Sequence, residues 1–138
     1  MPKPRNEILS SHLQTVLQNS SGLDALALIN MDGVEIASAL LPGTNKERLA
    51  AMTLAVLSLG LQIAGEFDRG RLEELYIKGT KGFILVMPLD DEAILIALAR
   101  ENARPGLVLL DLRHIAGKMF SPGESYRRRG VRSARSQP

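Results

Sequence analysis

LAAMTLAVLSLGLQIAG, residues 49–65, is a run of seventeen residues without a charged side chain, bounded by Arg48 and Glu66. Thr44-Asn45-Lys46-Glu47 just ahead of it reads as a capping box, with the Thr44 hydroxyl and the Glu47 carboxylate satisfying the first free amides of a helix. On a helical wheel Leu49, Met52, Val56, Leu59, Ile63 and Phe67 form one apolar ridge, and Ala50, Leu54, Leu57 and Leu61 form a second. Together they cover roughly 220° of circumference, whereas a helix lying on one sheet needs an apolar stripe of only about 100°. Such a helix has more apolar surface than a single subunit hides. A transmembrane span is the competing reading, but a span needs about 20 strongly apolar residues. Here the run is diluted by Thr53, Ser58, Gly60 and Gln62 and flanked by charges. A helix packed on both sides, one of them against another subunit, fits better. The remaining arc, with Glu47 and Arg48 at its end, holds the small or mildly polar residues Ala51, Ala55, Ser58 and Gln62.

Working outward, Ile8, Leu9, His12, Leu13, Val16 and Leu17 repeat at helical spacing after Pro4 and predict a first helix ending before Ser21-Gly22. Asp24–Asn30 is a short apolar run, and Met31-Asp32-Gly33 then gives an Asp-Gly hairpin turn into an alternating strand, Val34–Ser38. After the long helix, Leu72–Lys78 alternates as a half-exposed strand, with Leu75 and Ile77 inward and Glu74, Tyr76 and Lys78 outward. Gly79-Thr80-Lys81-Gly82 is turn chemistry; Phe83–Met87 and Ala93–Ala99 are unbroken apolar strands that belong at the centre of a sheet. Pro105 opens a last helix with Val108, Leu112, Ile115 and Met119 on one face, closed by Ser121-Pro122-Gly123. The expectation is an α+β domain in the order α-β-β-α-β-β-β-α over residues 1–120. Its five-stranded, mainly antiparallel sheet carries the long second helix on one face and the first and last helices on the other.

Composition narrows the chemistry. The 138 residues, 45% hydrophobic and 23% charged, suit one globular domain. With no cysteine there are no disulfides and no thiolate metal ligands, which suits a cytoplasmic setting. The N-terminal segment does not read as a signal peptide. Residues 121–138 carry five arginines against one acid, Glu124, so the net charge of +2 comes from this tail, which is expected to be disordered and to attract an acidic partner if it binds anything. No phosphate loop is present, because Gly43-Thr44-Asn45-Lys46 lacks the Gly-Lys-Ser/Thr ending. His12 and His114 have no neighbours at ligand spacing; His12 is expected to pack in the core and His114 to face solvent. Asp90, Asp91 and Glu92, like Glu73 and Glu74, read as wetted loop and strand residues rather than a proton-transfer pair. No nucleophile–base pair stands out, so neither an enzyme nor a cofactor is expected.

The succession LDALALINMDGVEIAS (23–38), the uncharged helix, KGTKGFILVMPL (78–89) and AILIALARENARPGLVLLDLRHIAGKM (93–119) resembles the roadblock family of small regulatory domains, over about residues 6 to 120. The likeness is greatest to its gliding-motility branch, which regulates Ras-like GTPases; dynein light chains and lysosomal scaffold subunits belong to the same family. The resemblance implies a homodimer in which the long helices lie side by side and the third strands pair across a two-fold axis into a ten-stranded sheet. It also implies a platform for a Ras-like small GTPase, some members accelerating GTP hydrolysis without the arginine that usually does so in trans. On that basis the docking residues are expected to be Glu47, Arg48, Ala51, Ala55, Ser58 and Gln62. Leu54, Leu57 and Leu61, with Leu75 and Ile77 of the third strand, are expected at the subunit contact, although either apolar ridge would serve. The alternative is a homodimeric scaffold subunit with no effect on nucleotide turnover.

Overall fold

A computed structural model describes residues 5–20, 22–90 and 92–119. The arginine-rich tail, and with it the expectations of disorder and of an acidic partner, lies outside the described residues. The order is α1 (Arg5–Asn19), β1 (Leu23–Asn30), β2 (Glu35–Ala39), α2 (Lys46–Glu66), β3 (Leu75–Gly79), β4 (Gly82–Pro88), β5 (Ala93–Arg100) and α3 (Pro105–Met119). One five-stranded sheet runs β2-β1-β5-β4-β3, antiparallel at every step. The α+β architecture, the order of elements and the placement of helices agree with the expectation.

The alternation of each strand separates two cores. Leu26, Leu28, Phe83, Leu85, Met87, Leu95 and Ala97 point to the side where α1 and α3 contribute Leu13, Val108, Leu112 and Ile115. Ala27, Ile29, Val86, Ile94 and Ile96 point to the other side, where α2 contributes Ala50 and Leu57. β5, flanked by β1 and β4, is buried along almost its whole length, as an uninterrupted apolar strand requires.

Both ends of α2 are set by local chemistry. Asn45, not Thr44, is the cap: its side-chain oxygen accepts the Arg48 N–H at 3.0 Å. The Thr44 hydroxyl donates instead to the Leu41 carbonyl at 2.7 Å and ties down the Pro42-Gly43 turn. At the other end Asp68 adopts φ 58°, the Asp68 N–H reaches the Gly65 carbonyl and the Arg69 N–H reaches that of Ala64. This is the paired-bond arrangement that closes helices through a left-handed residue, here an aspartate in a place that glycine usually fills. The chain then needs residues 69–74 to come round, so β3 begins at Leu75 rather than at Leu72, while Leu72 packs into the α2 core.

The two sheet edges differ. Along β2 the Ser38 N–H donates to Ser10 Oγ of α1 at 3.2 Å, so a helix lies against that edge. The outer edge of β3 has no neighbouring strand among the described residues. Its hairpin is held tightly at Gly82, whose φ is 150° and where an added Cβ would collide with the Ala99 carbonyl oxygen.

His12 is half-buried, with its Nε2 unpartnered. Burial, and next the nearby charges of Lys118 and His114, lower its pKa below the usual 6.5. Below pH 6.5 the unfolded chain therefore takes up this proton before the folded one does, and stability contributed by neutral His12 is lost as the pH falls through the lowered folded value. Urea midpoints measured between about pH 7 and pH 5 should fall, and should fall less for His12→Leu.

Candidate interaction surface

α2 presents three different arcs. Ala50, Thr53 and Leu57 are buried on the sheet, and Leu49, Leu54 and Gly60 are partly covered beside them. By length and composition this helix would also pass for a membrane span, yet it lies along the sheet through that inner stripe. The second arc is apolar and open: Met52 is 60% exposed, Leu59 55%, Ile63 52% and Phe67 66%. The third carries Glu47, Arg48, Ala51, Ala55, Ser58 and Gln62, all exposed. The residues expected to dock a partner thus share one continuous outer arc about 22 Å long, at 1.5 Å per residue.

The expected subunit-contact residues divide. Leu57 is 2% exposed and belongs to the core of its own subunit, so it is not available for a second one. Leu54 is partly buried, with its Cδ1 3.0 Å from where a Cβ on Gly33 would stand. Leu61 and Ile77 are exposed, and Leu75 is partly covered beside Gly60. Of the two apolar ridges, that of Ala50 and Leu57 meets the sheet and that of Met52, Leu59 and Ile63 faces outward. The outward ridge flanks β3: Gly60, between the two, sits close to Leu72 and Leu75. Leu75 and Ile77 lie on the same side of the sheet as α2, opposite Val86 and Ile84. Apolar helix ridge and unpaired strand edge form one surface.

A cleft of about 970 Å³ opens at the end of α2, lined by Met31, Leu57, Leu61, Leu72 and Met87 with Arg69, Arg71, Arg113, Glu73, Glu74 and Asp90 around it. Three arginines and three carboxylates are thus among its lining residues, and their formal charges balance. Asp90 shapes the backbone beside it, since its Oδ1 accepts the N–H groups of Glu92 at 2.7 Å and Ala93 at 3.0 Å and so turns β4 into β5. Glu73 and Glu74 are exposed, Arg48 is exposed, and His114 faces solvent as expected. Among the described residues no three His, Cys, Asp or Glu side chains are grouped as metal ligands would be.

Three helices on the two faces of one antiparallel sheet, with a long, half-covered helix alone on one side, define a small α+β domain. Residues 10–99 match the Roadblock/LC7 domain, and the chain belongs to that family. An uncharacterized protein of Methanocaldococcus jannaschii is 28% identical over 103 residues, 75% of this chain and 90% of its own. Among solved structures, Myxococcus xanthus MglB superposes with a TM-score of 0.78 at 15% identity, covering 91% of this chain and 94% of that one. A structure described as MglB with a tetrameric arrangement superposes with a TM-score of 0.74 at 18% identity, over 86% of this chain and 90% of that one.

The division of α2 predicts opposite outcomes for two nearby leucines. Leu57→Ala should lower the unfolding free energy by about 2–5 kcal/mol, as for other buried leucines. Leu59→Ser should stay within about 0.5 kcal/mol in a dilute, monomeric sample. Chemical denaturation of both variants checks the assignment.

Proposed function

We propose that this chain is a non-catalytic homodimeric regulator, cytoplasmic, that docks a Ras-like small GTPase on the outer arcs of its α2 helices and modulates GTP hydrolysis. The observation that carries the reading is the coincidence of the open ridge Met52–Leu59–Ile63 with the free β3 edge. A second copy seated there covers both at once, and it leaves Glu47, Arg48, Ala51, Ala55, Ser58 and Gln62 facing away from the pairing. Two such arcs side by side make a broad polar platform with small side chains that another backbone can approach closely. Family membership supports a regulatory rather than catalytic role, and the tetrameric arrangement of a similar MglB chain supports self-association.

The proposal is tested by the rate of GTP hydrolysis of a Ras-like GTPase from the same genome, with and without this protein. An increase of roughly tenfold or more, corresponding to about 1.4 kcal/mol of barrier, is the expected result. Ala55→Arg should abolish it while leaving self-association unchanged, because Ala55 lies on the exposed outer arc. Binding without any change in rate would favour the scaffold reading. Absence of binding to every such GTPase would sink the regulator reading.

A further inference from the structure

β3 carries its charges asymmetrically. Glu73 and Glu74 precede it, whereas Lys78 lies on it and Lys81 in the following turn. All four are exposed, and none has an ion-pair partner among the described residues. Gly79 and Gly82 face each other across the two-residue turn Thr80-Lys81. In such a turn the closing pair exchanges both hydrogen bonds. Alternation from that point aims the N–H and C=O of Ile77 and Leu75 at β4, and those of Lys78 and Tyr76 outward; continued one step, it aims those of Glu74 outward too. The side chains alternate likewise. Leu75 and Ile77 lie on the α2 side, and Tyr76 lies on the opposite side with its ring centroid 5.2 Å from that of Phe83.

We infer that a second copy of this chain pairs with β3 antiparallel, in the one register that sets Tyr76 opposite itself and Glu74 opposite Lys78 of the partner subunit. The inference rests on the homodimer proposed above and fixes its geometry. Only residues with outward backbone groups can bond across the edge, so permitted registers differ by two residues. A shift of one such step sets Glu74 opposite Tyr76, or Tyr76 opposite Lys78, and matches no charges on the strand; the second of these aligns Glu73 only with Lys81, which lies in the turn beyond the last strand residue, Gly79. A shift of two steps sets Glu74 opposite Glu74, or Lys78 opposite Lys78, and opposes like charges. The Tyr76-centred register matches opposite charges twice, and it sets Leu75 opposite Ile77 of the partner subunit twice on the α2 side, continuing the apolar ridge. Like charges directly opposite one another destabilise a strand pair, so the pattern also selects against copies out of register and against related chains with other charges at these positions.

Two measurements test the register separately from the dimer. In sedimentation, Glu74→Lys and Lys78→Glu should each weaken self-association by roughly tenfold, because each variant opposes like charges twice per dimer. An equimolar mixture of the two should associate as the wild type does, since the mixed pair restores both opposite-charge contacts; so should the double variant E74K/K78E. The chain has no native cysteine. Tyr76→Cys should therefore cross-link to itself on mild oxidation, because facing residues of an antiparallel pair stand about 5.5 Å apart, within disulfide reach. Leu75→Cys and Ile77→Cys should not. Self-cross-linking at position 75 or 77 instead, or charge reversals that leave association unchanged, would overturn the register while the dimer stands. A wild type that remains monomeric at all concentrations would overturn both.

Discussion

A helix resting on a sheet can give the sheet only one flank, and α2 has apolar side chains on two. The sheet takes Ala50, Thr53 and Leu57. Met52, Leu59, Ile63 and Phe67 are left in water, and burying each fully is worth about 1.5–3 kcal/mol. Their position matters as much as their number. At one end of the sheet a helix lies along the edge strand, through the bond between Ser38 and Ser10. At the other, β3 is open and stands beside the exposed ridge. Unsatisfied apolar area and unsatisfied backbone groups thus meet on one side of the molecule, and unpaired edges in natural sheets are normally covered or guarded by charge. Lys78 and the flanking glutamates are such guards, and under the proposed pairing one register alone sets the opposite charges of Glu74 and Lys78 against each other.

Much of the fold is legible because its periods are clean. Asp32-Gly33 announces the hairpin, and Gly33 indeed has φ 82°, the conformation such a turn demands. The strings 83–87 and 93–99 announce buried strands, and the structure sets them side by side. What the pattern does not decide is the choice between near-equals. Thr44 and Asn45 are both good caps, and the Pro42-Gly43 turn claims the threonine hydroxyl, leaving the asparagine for the helix. The two apolar ridges of α2 are likewise matched in hydrophobicity. Side-chain size separates them: Ala50 and Thr53 let the helix settle close to Ala27 and the isoleucines of β1 and β5, whereas Met52 and Leu59 would hold it off. Hydrophobicity alone therefore leaves Leu57 open to either role, and only the small residues around it mark the ridge as the inner one.

The outer arc is easier to read, since it is the one part of α2 that neither apolar ridge claims. Glu47, Arg48, Ala51, Ala55, Ser58 and Gln62 fall together once the helical period is known, and the structure leaves them all accessible. The carboxylates near the β4–β5 turn show the limit of reading side chains by type. Asp90 reads in the sequence as a wetted loop residue rather than half of an acid pair, and its hydrogen bonds to the Glu92 and Ala93 N–H groups give it the further role of turn-former.

The chemistry of the two open arcs fits different lifetimes of contact. An apolar ridge beside an unpaired strand is a hazard whenever it is bare, so whatever covers it must remain in place for the life of the folded protein. Ala, Ser and Gln carry no such hazard when wet, and their small size lets a rigid partner come and go without prising open a packed seam. Permanent interfaces are in general the more apolar ones, resembling a domain core cut in two. Under the proposed pairing, the ridge of Met52, Leu59 and Ile63 makes the lasting contact and the arc of Ala51, Ala55, Ser58 and Gln62 the reversible one. The same helix can serve both because its 3.6-residue period keeps the two sets of side chains on separate flanks.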